Sequence, residues 1–168
     1  MEKFSVLEMG SHTFRAMVCE GEDKGFRVLL RERRYVGLAK EIDQEGFLTD
    51  AGVQKALSTL EDLLKISSLM GTQRHILVAT GVIRSIRNQK TLLRAINERA
   101  GLLPRVLSGE EEAELSLLGA SFVLKKESEI LVLDIGGGST ELGIKSSHGS
   151  FFSSLPLGCL LILREFLG

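Results

Sequence analysis

The chain has 168 residues, 43% of them apolar and 26% charged, with a formal net charge of −1. That length suits one ordinary domain, or one domain and part of another. The near balance of charge gives no overall pull toward nucleic acid or an anionic membrane, and no apolar run reaches the ~18 residues that a membrane helix needs. The opening MEKFSVLEMG lacks a signal peptide's basic region, long apolar core and cleavage site, so a cytoplasmic location is expected. Cys19 and Cys159 stand far apart with no CxxC and no Cys/His cluster, which fits two reduced thiols better than a disulfide or a zinc site.

In chain order, residues 4–10 read as a strand ending in a turn, 13–21 as its hairpin partner and 26–36 as a third strand, together an antiparallel meander. The pattern then changes. Val53, Ala56, Leu57, Leu60, Leu63 and Leu64 recur with a 3.6-residue period and predict a helix within 48–71, with Thr49 or Asp50 as N-cap and Gly71 as the stop. A short strand over 75–80, a helix over 88–101, a strand at 104–108 and a helix over 109–122 follow. Residues 129–136 and 139–147 predict a second hairpin, then a strand at 150–155 and a helix from about residue 158. Strands 4–9, 13–21, 26–36, 75–80 and 104–107 are expected in one mixed sheet, flanked by the helices at 50–70 and 88–100, an α/β arrangement. The polar stretch KKESE (125–129) is the best linker, giving a first domain over 1–124 and the beginning of a second over 125–168.

The stretch LVLDIGGGSTELGI (131–144) carries the strongest chemical signal. It is not a Walker loop, since no GK[ST] follows, and it is not a Rossmann fingerprint, since Glu141 breaks the glycine spacing and a strand follows. Asp134 is expected at the end of a buried strand, where a carboxylate is costly without a cation or hydrogen-bond donors. Glu141 returns on the partner strand. Phosphate on the turn's N–H groups and a hard cation on the carboxylates is the natural pairing. VLEMGSHTF (6–14) echoes VLDIGGGST (132–140), so two glycine turns offering N–H groups to one anion stand against chance likeness of two apolar strands. In SGEEEA (108–113), Ser108 and Glu111 form a capping box. Glu112 is not needed for it, and is either a solvated acid or a side chain pointing into a cleft. Arg84 and Asn88, four apart after a strand, share a face if that segment is helical, and Arg84 is a candidate phosphate clamp or a surface arginine.

These segments resemble the exopolyphosphatase and guanosine-pentaphosphate phosphohydrolase (Ppx/GppA) family of the actin-like, sugar-kinase-like ATPase superfamily. DIGGGSTE (134–141) matches its second phosphate motif in full. VLEMGSHTFR (6–15), ATGVIR through Asn88, SGEEEA and SLPLGC (154–159) resemble further family segments in order and spacing. The resemblance implies an RNase H-like (actin-like ATPase) domain plus the start of a similar second one, since the family's catalytic core is about twice as long. It also implies hydrolysis of a terminal phosphoanhydride, with polyphosphate or guanosine pentaphosphate as substrate and Mg2+ as cofactor. In that reading Glu112 is the catalytic base, Asp134, Glu141 and Glu8 are metal carboxylates, and Ser11, Arg84, Gly136, Gly137, Gly138 and Ser139 hold phosphate. Glu8 stands where an aspartate is usual, His12 and Thr13 replace Asn-Ser, and Ala39 occupies a position where glycine is usual. The alternatives are a non-catalytic phosphate- or nucleotide-binding module of the same fold and a kinase-like ATPase. Neither nucleic acid nor membrane is an expected partner. Exposed sheet edges invite pairing, which leaves a homodimer open without fixing the oligomeric state.

Overall fold

The structure, a computed structural model, describes residues 2–124, 128–160, 162 and 163. The chain forms two compact units, Met1–Val106 and Leu107–Gly168.

The first unit is a five-stranded mixed sheet. Its strands are β1 (Lys3–Met9), β2 (Thr13–Glu22), β3 (Gly25–Tyr35), β4 (Arg74–Ala79) and β5 (Arg105–Val106), in the order β3-β2-β1-β4-β5. The three predicted meander strands are antiparallel, and β4 and β5 join parallel after helical crossovers. Alternation sorts the side chains. Ser5, Leu7 and Met9 of β1 are buried while Val6 and Glu8 are only half-buried, and antiparallel register sets Phe14, Ala16 and Val18 beside the buried set.

Two helices cover that buried face. In α1 (Asp50–Leu69), Thr49 is the N-cap, its hydroxyl accepting from Gly52 N at 3.1 Å. Ala56, Leu57, Leu60 and Leu63 form its buried stripe. Gly71, at φ +81°, follows the helix end in a conformation that favours glycine. α3 (Gln89–Ala100) inserts Leu92 and Ile96 into the same core and stops at Gly101, φ +65°. Core burial at Leu60 or Leu63 is worth about 2–5 kcal/mol each against alanine. Two short elements were not read from sequence: a 3-10 turn at Leu38–Glu41 and α2 (Val82–Ser85). The opposite sheet face, with Val6, Glu8, Arg15, Met17, Arg31 and Arg33, carries neither α1 nor α3.

The second unit holds α4 (Gly109–Val123), β6 (Ile130–Ile135), β7 (Thr140–Ser146) and β8 (Gly149–Leu155), the strands antiparallel in the order β6-β7-β8. α4, expected with the first domain, instead packs on this sheet through Ala113 and Leu117. The compact units therefore divide after Val106, ahead of α4, rather than at 124/125. Residues 125–127 of the expected linker lie outside the described residues. Of the helix expected from about residue 158, residues 159, 160, 162 and 163 are helical.

Candidate functional site

The first glycine turn joins β1 to β2. Gly10 N donates to Thr13 O at 3.2 Å, and His12 O accepts from Val36 N and Gly37 N at 2.9 and 2.8 Å, tying the turn to the end of β3. Ser11 is buried, and its hydroxyl accepts from Val82 N at 2.9 Å, at the start of α2. Gly81 makes this approach possible: a Cβ there would lie 2.1 Å from Ser11 Oγ. Ser11 thus fastens the segment carrying Arg84 to the turn. Arg84 and Asn88 do not share a helical face. α2 ends at Ser85, Ile86 is extended, and the Asn88 amide binds both backbone groups of Leu48 at 2.9 and 2.8 Å. Nδ1 of His12 is buried without a hydrogen-bond partner, and its ring stands edge-on to Tyr35 at 4.2 Å.

Glu8 lies two residues before this turn. Its Oε2 accepts from Arg15 at 3.1 Å, an ion pair across the β1–β2 ladder, and its Oε1 accepts from Thr80 Oγ1 at 3.5 Å. Asp134 holds the corresponding place before the second turn, but the residue opposite it on β7 is Glu141. Directly opposed residues of an antiparallel pair point to one sheet face, with Cβ atoms about 4.5–5.5 Å apart. The echo between the two turns thus has opposite electrostatics. An arginine pairs with the acid at the first, whereas at the second the residue opposite the acid is another acid.

α4 lies over the same face. Its N-terminus carries both reciprocal bonds of the capping box, Glu111 N to Ser108 Oγ at 3.1 Å and Ser108 N to Glu111 Oε2 at 2.8 Å. One turn on, Ser116 Oγ donates to Asp134 Oδ2 at 3.0 Å. Glu112 is four residues before Ser116, hence on the same helix face, and is half-buried. Glu141 is 2% exposed and accepts from Ser154 Oγ at 2.8 Å. Two glycines permit this packing. A Cβ on Gly109 would fall 2.2 Å from Ser154 Cβ, and one on Gly143 3.0 Å from Leu117 Cβ.

Asp134 departs from expectation. It is exposed although α4 lies on its face, because it stands near the end of β6, the edge strand; Leu131, Leu133 and Ile135, on the opposite face, are exposed as well. Its partner Glu141, on the central strand, is the buried acid. The 136–139 turn is closed by Gly136 N donating to Ser139 O at 2.9 Å, and Ser139 is buried. Cys159 N and Leu160 N donate to Gly136 O and Gly137 O, both at 3.0 Å, and Thr140 Oγ1 donates to Leu157 O. A Cβ on Gly158 would sit 2.4 Å from Gly137 C and O.

Sequence reasoning missed Gly158, Ser116, Ser154 and Gly109 as parts of this site. The i+4 spacing from Glu112 marks Ser116, and Gly109 lies in SGEEEA and Ser154 and Gly158 in SLPLGC, segments the resemblance singled out without assigning those residues a role. Their roles depend on which helix lies on which sheet.

Among the described residues no three His, Cys, Asp or Glu converge. Asp134 and Glu141 still suit Mg2+, which binds through one or two carboxylates and completes its shell with water and phosphate oxygens. Glu8 and Arg84 belong to the first unit; Asp134, Glu141, Glu112 and the glycine turn belong to the second.

The sequence model of the Ppx/GppA phosphatase family matches residues 17–168. The chain belongs to this family. It is 30% identical to exopolyphosphatase 1 of Mycobacterium tuberculosis over 98% of its own length and 49% of the relative's. An uncharacterized Streptomyces coelicolor protein matches at 30% identity, over 97% of this chain and 49% of that protein. The chain spans about half the length of the curated relatives it matches. Among solved structures, an exopolyphosphatase from Cytophaga hutchinsonii superposes with a TM-score of 0.90 at 28% identity, over 98% of this chain and 54% of that one. The Aquifex aeolicus family member superposes at 0.83 with 25% identity, over 98% and 54%. The fold is that of the actin-like ATPases: MreB5 of Spiroplasma citri shares it at a TM-score of 0.50 and 19% identity, over 99% of this chain and 58% of that one.

Proposed function

We propose that this chain supplies the phosphate-holding part of a hydrolase that removes the terminal phosphate of inorganic polyphosphate or guanosine pentaphosphate. One observation carries the reading. Asp134 and Glu141 are opposed on one sheet face, beneath a helix that holds Asp134 through Ser116 and carries Glu112 one turn earlier.

In this reading Asp134 and Glu141 hold Mg2+, which when bound neutralises phosphate charge. Backbone N–H groups of the 136–139 turn orient the terminal phosphate, and in the first unit Arg84 is a candidate phosphate-binding guanidinium. The Glu112 carboxylate takes a proton from water as the water oxygen bonds to phosphorus. The bridging P–O bond breaks, and orthophosphate leaves with the shortened chain as the second product. Glu8 assists as a carboxylate and Ser11 as the post that fixes the Arg84 segment.

The Glu8–Arg15 ion pair favours a second reading, a module that binds phosphate or nucleotide without turnover, because that acid is already engaged. Phosphate release from polyphosphate and guanosine pentaphosphate, assayed side by side on the full-length protein, separates the two. Release from either supports the hydrolase; tight binding of both with no release leaves the binding module.

A further inference from the structure

The end of β3 carries the only tyrosine of the chain, which has no tryptophan. Tyr35 stands opposite Thr13 across the β2–β3 ladder, beside the first glycine turn. The backbone that follows it is fixed: Val36 and Leu38 are fully buried, and Val36 N and Gly37 N donate to His12 O. The Tyr35 side chain leaves the core and is 59% exposed.

The phenol ring is held on two sides. It stands edge-on to the His12 imidazole, with centroids 4.2 Å apart and planes at 83°. Gly37, at φ +66°, lies against it: a Cβ there would fall 3.2, 3.3 and 3.4 Å from Oη, Cζ and Cε1. Near-equal distances to these three atoms place Gly37 over a ring face rather than at an edge, so the exposed area lies on the other face. A tyrosine has two χ angles, and packing restricts both, so little rotamer entropy remains to be lost when a ligand stacks on it.

The turn beside the ring offers polar partners. Among the described residues the N–H groups of Ser11 and His12 meet no acceptor, which leaves two backbone donors for an anion. A held aromatic face next to such donors suits a molecule that has both a flat ring and a phosphate. An inorganic phosphate chain makes no use of the phenol, whereas a purine nucleotide engages ring and turn together.

We propose that Tyr35 is a stacking platform for the purine of a nucleoside polyphosphate whose ribose-linked phosphates sit on the Ser11–His12 turn. Every group it uses belongs to the first unit. It rests on the phosphate-holding reading above and names the substrate class: a purine nucleoside polyphosphate is preferred to a base-free phosphate chain.

The sole tyrosine makes the test direct. Selectively labelled tyrosine gives one set of ring resonances in this chain, read by NMR during titration with two probes, each with Mg2+. One is a non-hydrolysable GTP analogue with an imido-linked terminal phosphate. The other is diimidotriphosphate, which has the phosphates but no base. The GTP analogue is expected to shift the Tyr35 ring resonances upfield and saturably, and to bind about tenfold tighter than diimidotriphosphate, the contribution of one base stacked on an aromatic side chain. Tyr35→Phe retains that preference. Tyr35→Leu abolishes it: the GTP analogue falls to the affinity of diimidotriphosphate, which itself stays as in wild type. Unchanged thermal midpoints confirm folding, and the wild-type shift needs no variant. Equal affinity of wild type for the two probes overturns the platform. So does a preference that survives in Tyr35→Leu, or a ring that responds alike to both probes. Binding of diimidotriphosphate then leaves the phosphate-holding reading standing. If wild type binds neither probe, that reading fails and the platform fails with it.

Discussion

At the scale of single residues, position and partner decide what each acid can do. Glu111 is consumed by the capping box, and Glu112 beside it is not. Glu112→Gln is therefore expected to lower phosphate release by about 10²–10⁴-fold, the usual cost of losing a positioned base, while the affinity for substrate and the thermal midpoint hold. Turnover equal to wild type would return Glu112 to a role at the helix surface. A second residue-scale effect concerns pH. His75 Nδ1 lies 2.7 Å from Ser5 Oγ, and burial pushes the imidazole pKa below its ordinary value. The unfolded chain takes up this proton near pH ~6.5, the folded chain only at lower pH. Below about 6.5 the unfolded state binds more protons, so stability is full above that pH and falls as pH drops. Urea midpoints measured from about pH 7 to about pH 5.5 should decline, and His75→Gln should remove part of the decline. An identical pH slope in the variant excludes His75 as its source.

At the scale of elements, close approach replaces side chains as the organising feature. Gly158 meets backbone, not a movable side chain: a Cβ would lie 2.4 Å from Gly137 C and O and 2.5 Å from Gly138 N. Gly158→Ala must push the 157–160 segment off the turn and free the carbonyls of Gly136 and Gly137. The expected cost is about 1–3 kcal/mol in urea unfolding, with loss of Mg2+-dependent phosphate binding. Binding and stability equal to wild type would show that the turn stands without this clamp.

The same elements show what could be read beforehand. The meander, both long helices of the first unit and the β6–β7 hairpin were legible because their period-2 or 3.6-residue patterns are local and their stops are glycines. The capping box was legible because it spans four residues. The partner of α4 was not, since an apolar stripe such as Ala113 and Leu117 names no sheet. The exposure of Asp134 was not, because the run Leu131–Val132–Leu133 reads the same in a central strand and in an edge strand. α2 is too short to leave a period.

At the scale of the whole molecule, the two units differ in how much core they own. Leu7, Met9, Phe14, Leu57, Leu60, Leu63, Leu92 and Ile96 belong to one continuous cluster in the first. Among its described residues the second buries chiefly Leu107, Ala113, Leu117 and Ile130, while Leu131, Leu133 and Ile135 stay 59–68% exposed. At about 25 cal/mol per Å² of apolar surface buried, the smaller core leaves the second unit with less stabilisation per residue. Local opening follows such differences. Amides of β6, β7 and β8 are therefore expected to exchange hydrogen faster than those of β1, β2 and β4. The site assigned to β6 and β7 adds a second expectation, because a ligand that binds only the closed form suppresses opening by mass action. Mg2+ with a non-hydrolysable polyphosphate analogue should slow exchange in 130–146 more than either alone, since each supplies the other's missing ligands. Asp134→Asn removes one metal carboxylate and should abolish the joint effect while leaving exchange in β1 and β2 unchanged. Hydrogen-exchange mass spectrometry on wild type and variant reads both outcomes. Uniform exchange across the two sheets would refute the stability ordering, and joint protection surviving in Asp134→Asn would remove Asp134 from the metal site.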